Sequence, residues 1–243
     1  MIELLLFLAA MAAGAINSVA GGGTFITFPA LLFAGVPPIA ANATCTIAIW
    51  PGAISSAFAY RKELNLQRKN LALMFGISLL GGGLGALTLL ATPSATFEFL
   101  IPWLLLAATL LFAFSPSLSR FTTHQKFPLL LSYALQFSIA FYGGYFGAGI
   151  GILMLALLAL LGMTEIHEMN ALKTFLGTAI NGVAVLVFVV SGAVVWSYAA
   201  VMVIGAIIGG YLGAHYAKKL PKQRVRQLVI TIAASLTAWF FVY

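Results

Sequence analysis

Eight stretches of the chain are apolar over lengths that need either lipid or a large core to cover them: about 4–34, 38–60, 70–91, 97–115, 127–162, 169–190, 196–217 and 225–243. Crossing the hydrocarbon of a bilayer takes about 20 such residues. Between the stretches lie only short polar gaps. Of the 243 residues 62% are hydrophobic and 7% are charged, whereas a soluble domain carries about 25% charged residues. A soluble fold of this size could not hide that much apolar surface, because most of its residues still touch water. The chain therefore reads as one all-α integral membrane domain spanning 1–243. Its opening, MIELLLFLAAMAAGA, has no basic segment ahead of the apolar run and carries only Glu3, so it reads as part of the first membrane element rather than as a leader.

The first and fifth stretches are too long for single crossings. Glycines interrupt both: Gly21, Gly22 and Gly23 in one, and Gly143, Gly144, Gly147, Gly149 and Gly151 in the other. Glycine lets the backbone turn where other residues resist. Each stretch is expected to be two half-helices joined by a break inside the membrane.

The chain repeats. Gly21 and Gly23 match Gly149 and Gly151, Asn42 and Thr46 match Asn170 and Thr174, and Gly81–Ala86 matches Gly209–Ala214. All pairs lie 128 positions apart (149 − 21, 170 − 42, 209 − 81). The reading is two four-element repeats, 1–115 and 127–243, joined by a cytoplasmic linker over 116–126. The net charge is +7, and the basic residues cluster at Arg61–Lys69, Arg120–Lys126 and Lys218–Arg226. If all eight elements crossed once, the first and third clusters would lie on opposite sides, against the positive-inside tendency. If elements one and five are hairpins that enter and return, the second copy is inverted and all three clusters face the cytoplasm.

Inverted repeats with broken helices place solute sites near the midplane. A break frees backbone N–H groups, and helix N-termini attract anions. Asn17, Ser18, Gly21, Gly22, Gly23 and Thr24 form such a candidate cradle. Close helix packing through small residues is the plainer reading. Asn42 and Thr46 open the second element, and Asn170, Lys173 and Thr174 open the sixth; these are either helix caps or solute contacts. Lys173 is the one Lys or Arg inside an apolar element away from a basic cluster. It could neutralise an anion or extend to the interface. Glu165, His167 and Glu168 read as solvated loop residues rather than a proton relay. His215 reads as interfacial.

No enzyme signature stands out. The chain has no Asp, its five Glu and three His are scattered, and it lacks zinc spacing and a phosphate loop. Cys45 reads as a packing residue rather than a nucleophile or metal ligand. No catalytic residue, cofactor, metal or nucleic-acid partner is expected.

The segments AGAINSVAGGGTFITFPALLFAGVPPIAANATCTIAIWPGAISSAFAYRKEL and GGYFGAGIGILMLALLALLGMTEIHEMNALKTFLGTAINGV resemble the sulfite exporter TauE/SafE family, also described as DUF81-type permeases. The resemblance covers essentially the whole chain. It implies a multi-pass permease of the bacterial inner membrane moving sulfite, thiosulfate or organosulfonates. Carried over by position, it sets the family's glycine-rich segment on Gly21, Gly22 and Gly23. Its Asn-bearing start falls on Asn42, and the repeat of that on Asn170 and Lys173. The halves differ where Asn17 and Ser18 face Tyr145 and Phe146, so the second break is expected to shape the cavity rather than bind polar groups. The expected function is secondary transport of small anions, as an exporter, by alternating access. A passive anion channel and a membrane-embedded enzyme or assembly factor are the rivals. The lipid bilayer and a small anionic solute are the expected partners, and a homo-oligomer is compatible with the sequence.

Overall fold

The computed structural model describes residues 1–19, 22–59, 61, 70–121, 128–163, 165–216 and 222–242. Among them are ten α-helices and no strand. They are α1 (Ile2–Val19), α2 (Thr24–Phe33), α3 (Pro38–Ala59), α4 (Leu71–Ala91), α5 (Ser94–Phe121), α6 (Leu129–Tyr145), α7 (Ile150–Leu160), α8 (Ile166–Val190), α9 (Trp196–Tyr216) and α10 (Lys222–Val242). Every expected apolar stretch falls on one of these helices, or on two for the interrupted pair. Leu71–Ala91 and Glu168–Val190 are each long and apolar enough to cross a bilayer alone. Leu80, Leu84, Leu87, Leu186, Val190, Ile204 and Ile207 remain exposed along α4, α8 and α9, as expected of faces solvated by lipid.

Each interrupted element forms two helices, and their arms are unequal. The first arms, α1 and α6, have 18 and 17 residues, or about 27 and 25 Å. The second arms, α2 and α7, have 10 and 11 residues and reach only about 15 and 16 Å. Two glycines assigned to the second interruption, Gly143 and Gly144, lie within α6, and Gly151 lies within α7. The chain turns at Gly147 (φ 80) and Gly149 (φ 76), where a side chain would strain the backbone.

The remaining glycines bring helices together. A Cβ at Gly81 would stand 2.7 Å from Ala140 Cβ and 2.9 Å from the Phe137 carbonyl oxygen. Cβ atoms at Gly85 and Gly144 would collide with the backbone of Phe141 and Gly82. So α4 and α6 touch backbone to backbone, and their contacts advance together, from Ser78 with Gln136 to Gly85 with Phe141 and Tyr145. The two helices run parallel. On the other side Gly205 meets Phe7 and Ala10, Gly209 meets Met11, and Gly14 meets Ala206 and Gly210. Thus α1 and α9 run parallel as well. Small residues permit such approach, and close packing replaces the hydrophobic effect as the force between helices in lipid.

Two hydrogen-bond contacts join residues 128 positions apart. Thr109 Oγ1 and Thr237 Oγ1 lie 3.4 Å apart, from α5 and α10. Trp50 Nε1 donates to the Thr178 carbonyl over 3.1 Å, from α3 to α8. Gly182 makes room for this indole: a Cβ there would lie 3.2 Å from Trp50 Cζ2. Trp50→Phe removes the donor and is expected to cost about 1 kcal/mol, read as a melting temperature lower by about 2–4 °C.

Candidate functional site

The first break is closed by its own side chains. The Gly23 N–H donates to Asn17 Oδ1 over 2.7 Å, so an amide oxygen occupies the start of α2. Thr27 Oγ1 lies 3.2 Å from the Gly23 carbonyl, to which it donates, and 2.7 Å from Cys45 Sγ. Thr24 and Gly23 are buried, and Gly22 turns with φ 95. Gly21 lies outside the described residues. Ser18 lies in α1 with its side chain outside the description.

Among the described residues the second break has no such plug. Its position matching Asn17 is Tyr145, which ends α6. The N–H groups of Phe146 and Gly147 both donate to the Tyr142 carbonyl, at 2.9 and 3.1 Å. The Tyr142 hydroxyl donates to the Ala148 carbonyl at 2.8 Å and holds the turn. Phe146 is buried edge-on to Phe28 and Phe97, with centroids at 5.4 and 6.3 Å. Tyr142→Phe removes the hydroxyl holding the turn, and unfolding is expected to become easier by about 1 kcal/mol, seen as a lower denaturation midpoint.

Polar groups from two other helices converge on this same break. From α3, Asn42 Nδ2 donates to the Tyr145 carbonyl at 3.1 Å. That side chain is 1% exposed, and its Oδ1 has no hydrogen-bond partner among the described residues. From α8, the half-buried Lys173 lays its aliphatic stem against Gly151: a Cβ there would lie 3.4 Å from Lys173 Cδ. Lys173 Nζ donates to Asn170 Oδ1 at 2.9 Å, a neutral partner. This bond uses one of the three ammonium hydrogens. At the start of α7 the N–H groups of Ile150, Ile152 and Leu153 donate to the Gly147 and Gly149 carbonyls, which leaves that of Gly151 without a backbone acceptor among the described residues. The place where α6 ends and α7 begins is therefore flanked by a buried amide on one side and a cation on the other.

Thr46 and Thr174 behave alike. Each hydroxyl donates to the carbonyl four residues earlier, on Asn42 at 2.8 Å and Asn170 at 2.7 Å. Their donor hydrogens are committed, leaving acceptor lone pairs only. Glu165 is exposed and Glu168 half-buried at the start of α8; His167 and His215 have side chains outside the description. Of the three basic clusters, Arg120 lies in α5 and Lys222, Arg224 and Arg226 in α10, and Arg61 is the member whose side chain is described. It donates to the Phe58 carbonyl at 3.0 Å and sits 3.9 Å from the centroid of the Phe58 ring. No group of three or more His, Cys, Asp and Glu that could hold a metal occurs among the described residues.

The Tyr145 carbonyl, the Tyr142 clamp and the contact of Gly151 with Lys173 escape sequence reasoning. A backbone carbonyl has no residue signature. The fixed offset of 128 was the available signal, since it pairs Lys173 with Cys45, whose neighbours Gly23 and Thr27 lie beside the first break.

Comparison with known proteins agrees with this architecture. The family described as "Sulfite exporter TauE/SafE" matches residues 6–240. A "Probable membrane transporter protein ORF9" from Sinorhizobium sp. is 32% identical, covering 95% of this chain and 89% of the relative. A "Probable membrane transporter protein" from Haemophilus influenzae is 31% identical over 96% and 92% of the two chains. The "Probable membrane transporter protein YfcA" of Escherichia coli K12 is 30% identical over 96% and 87%. No solved structure matches. The chain belongs to the sulfite exporter TauE/SafE family and is a multi-pass membrane transporter rather than an enzyme.

Proposed function

We propose that the chain is a secondary transporter of small anions, with sulfur oxyanions and organosulfonates as its substrate class, working by alternating access around the break between α6 and α7. The observation that carries this reading is Lys173, held by a neutral amide and laid along the start of a half-length helix. A cation kept inside an apolar bundle is costly and serves function by default. Beside it, the N–H groups of α7 add the positive end of a helix dipole. Asn17 fills the corresponding place at the first break, so the second break is the open one. In this reading Lys173 supplies charge, Asn170 aims it, and Asn42 bounds the far side. Thr46 and Thr174 shape the walls, and Asn17, Ser18, Gly21, Gly22, Gly23 and Thr24 form the closed counterpart. The inside-negative voltage would drive an anion outward with about 2.3 kcal/mol per charge per 100 mV.

The inverted repeat, with copies over 1–115 and 127–243 and the 116–126 linker on the cytoplasmic side, belongs to the same proposal. The parallel pairs support it. Three reversals separate α6 from α9, so α9 runs against α6. Since α1 runs with α9, α1 also runs against α6, its counterpart 128 positions on. Contacts between corresponding residues, Thr109 with Thr237 and Trp50 with Thr178, suit positions near a two-fold axis. In a Cys45→Ser background, single cysteines placed in 61–69 and in 218–226 are expected to react with an impermeant maleimide only from the cytoplasm. Labelling from opposite sides removes the inversion.

Ligand-induced thermal stabilisation of the purified protein tests the substrate class. Anything bound only by the folded state raises apparent stability. Sulfite, thiosulfate, sulfate, taurine, sulfoacetate and simple carboxylates are compared at matched ionic strength. A selective shift with a sulfur anion is expected; no shift with any of them refutes the substrate class.

A further inference from the structure

We infer that the second break selects anions that also carry a hydrogen-bond donor, such as a hydroxyl or amino group close to the charged head, and that Asn42 reads that donor. This rests on the placement of the solute at the α6–α7 break proposed above.

The orientation of one amide is fixed by its partner. Asn42 Nδ2 points at the Tyr145 carbonyl at 3.1 Å. A carbonyl oxygen can only accept, so the amide nitrogen must face it and Oδ1 must face away. That oxygen is buried, on a side chain 1% exposed, and meets no donor among the described residues. Buried polar atoms are ordinarily paired, and a group left unpaired marks a place where a ligand or water belongs. A solute offering only acceptor oxygens would set like partial charges against Oδ1. One carrying O–H or N–H would complete the bond.

The opposite side of the same turn has the opposite polarity. Lys173 retains ammonium hydrogens beyond the one given to Asn170, and the Gly151 N–H, against which its stem lies, has no backbone acceptor among the described residues. Donors therefore line one side and an acceptor waits on the other. The complementary solute is a monoanion whose sulfonate or oxyanion end faces Lys173 and whose donor faces Asn42. A hydrogen oxyanion with an S–OH and a hydroxy- or amino-sulfonate share this chemistry. Sites built to bond a solute hydroxyl or amine reject the analogue lacking it far more strongly than apolar pockets reject a missing methylene.

Matched pairs test the inference on the purified full-length protein by titrated thermal stabilisation. Hydroxymethanesulfonate is compared with ethanesulfonate, and sulfamate with methanesulfonate; each pair exchanges a donor for a methyl at nearly equal size and equal charge. The donor-bearing member is expected to bind about ten-fold tighter or more. Asn42→Leu is expected to bring both ratios near one. The wild-type ratios stand on their own should that variant fail to fold. Ratios near one in the wild type, with both members bound and both lost in Lys173→Met, overturn the inference and leave the anion site standing; a water then satisfies Oδ1. Binding of none of the four overturns the anion site and the inference together.

Discussion

Lys173→Met is expected to weaken binding of a small sulfur monoanion by roughly a hundred-fold or more while leaving the protein folded. The size follows from where the charge sits. Two unit charges about 4 Å apart attract by about 4 kcal/mol at the effective dielectric of a partly buried site, and desolvation of the pair returns part of that. A net of about 3 kcal/mol remains, which is the stated factor. The fold should survive because, among the described residues, the ammonium donates to the neutral Asn170 side chain and to no carboxylate. Methionine retains a flexible aliphatic stem to cover Gly151, and removing a buried charge relieves its desolvation. Lys173→Arg keeps the charge but replaces a compact ammonium with a planar fork, so partial retention is expected. Isothermal titration against the ligand found in the stabilisation screen checks both. Unchanged affinity in Lys173→Met would place the solute elsewhere.

Gly144→Val carries the largest expected effect on stability. Its Cβ would overlap the Gly82 carbonyl oxygen and approach Gly82 Cα at 2.9 Å. The obstacle is backbone, so no rotamer change clears it. Helices α4 and α6 would have to separate, opening the Gly81 and Gly85 contacts and the 2.8 Å bond from Gln136 to Ser78. Overpacking ordinarily costs about 1–3 kcal/mol; with a rigid neighbour the upper end or beyond is expected, seen as little or no monodisperse protein in detergent. Gly76→Ala supplies the control. It lies in the facing helix α4 with nothing within 4 Å of the added methyl, and alanine favours helix over glycine by about 1 kcal/mol. Its melting temperature is expected to match or exceed that of the wild type. A Gly144→Val protein melting within about 2 °C of wild type would contradict the backbone-to-backbone contact.

The helical layout was legible because two signals acted along the whole sequence. Apolar length located the stretches, and the fixed offset tied Gly81–Ala86 to Gly209–Ala214 as helix contacts. Position within a break was less legible. Gly143 and Gly144 were read as breakers, yet they lie in α6, because packing against Ile180 and Gly82 suits glycine as well as a turn does. The hydrogen bonding at the two breaks was not legible for a related reason. Asn17 and the triple glycine made the first break look receptive, but the Asn17 amide turns inward onto Gly23. At the second break the aromatic residues Tyr145 and Phe146 concealed a carbonyl that recruits Asn42 from a helix 103 residues away. Long-range partners of backbone atoms leave no trace in local sequence. Lys173 was legible as an oddity, and its contact with Gly151 had to come from the structure.

Counterflow in proteoliposomes tests the central claim most directly. Vesicles containing the purified protein are loaded with the unlabelled sulfur anion that gives the largest thermal shift and diluted into a trace of the same solute, labelled. The account predicts transient, saturable accumulation of label in wild-type vesicles and its loss in Lys173→Met. Absence of counterflow with every sulfur anion, or flux that rises without saturation and survives Lys173→Met, would contradict it.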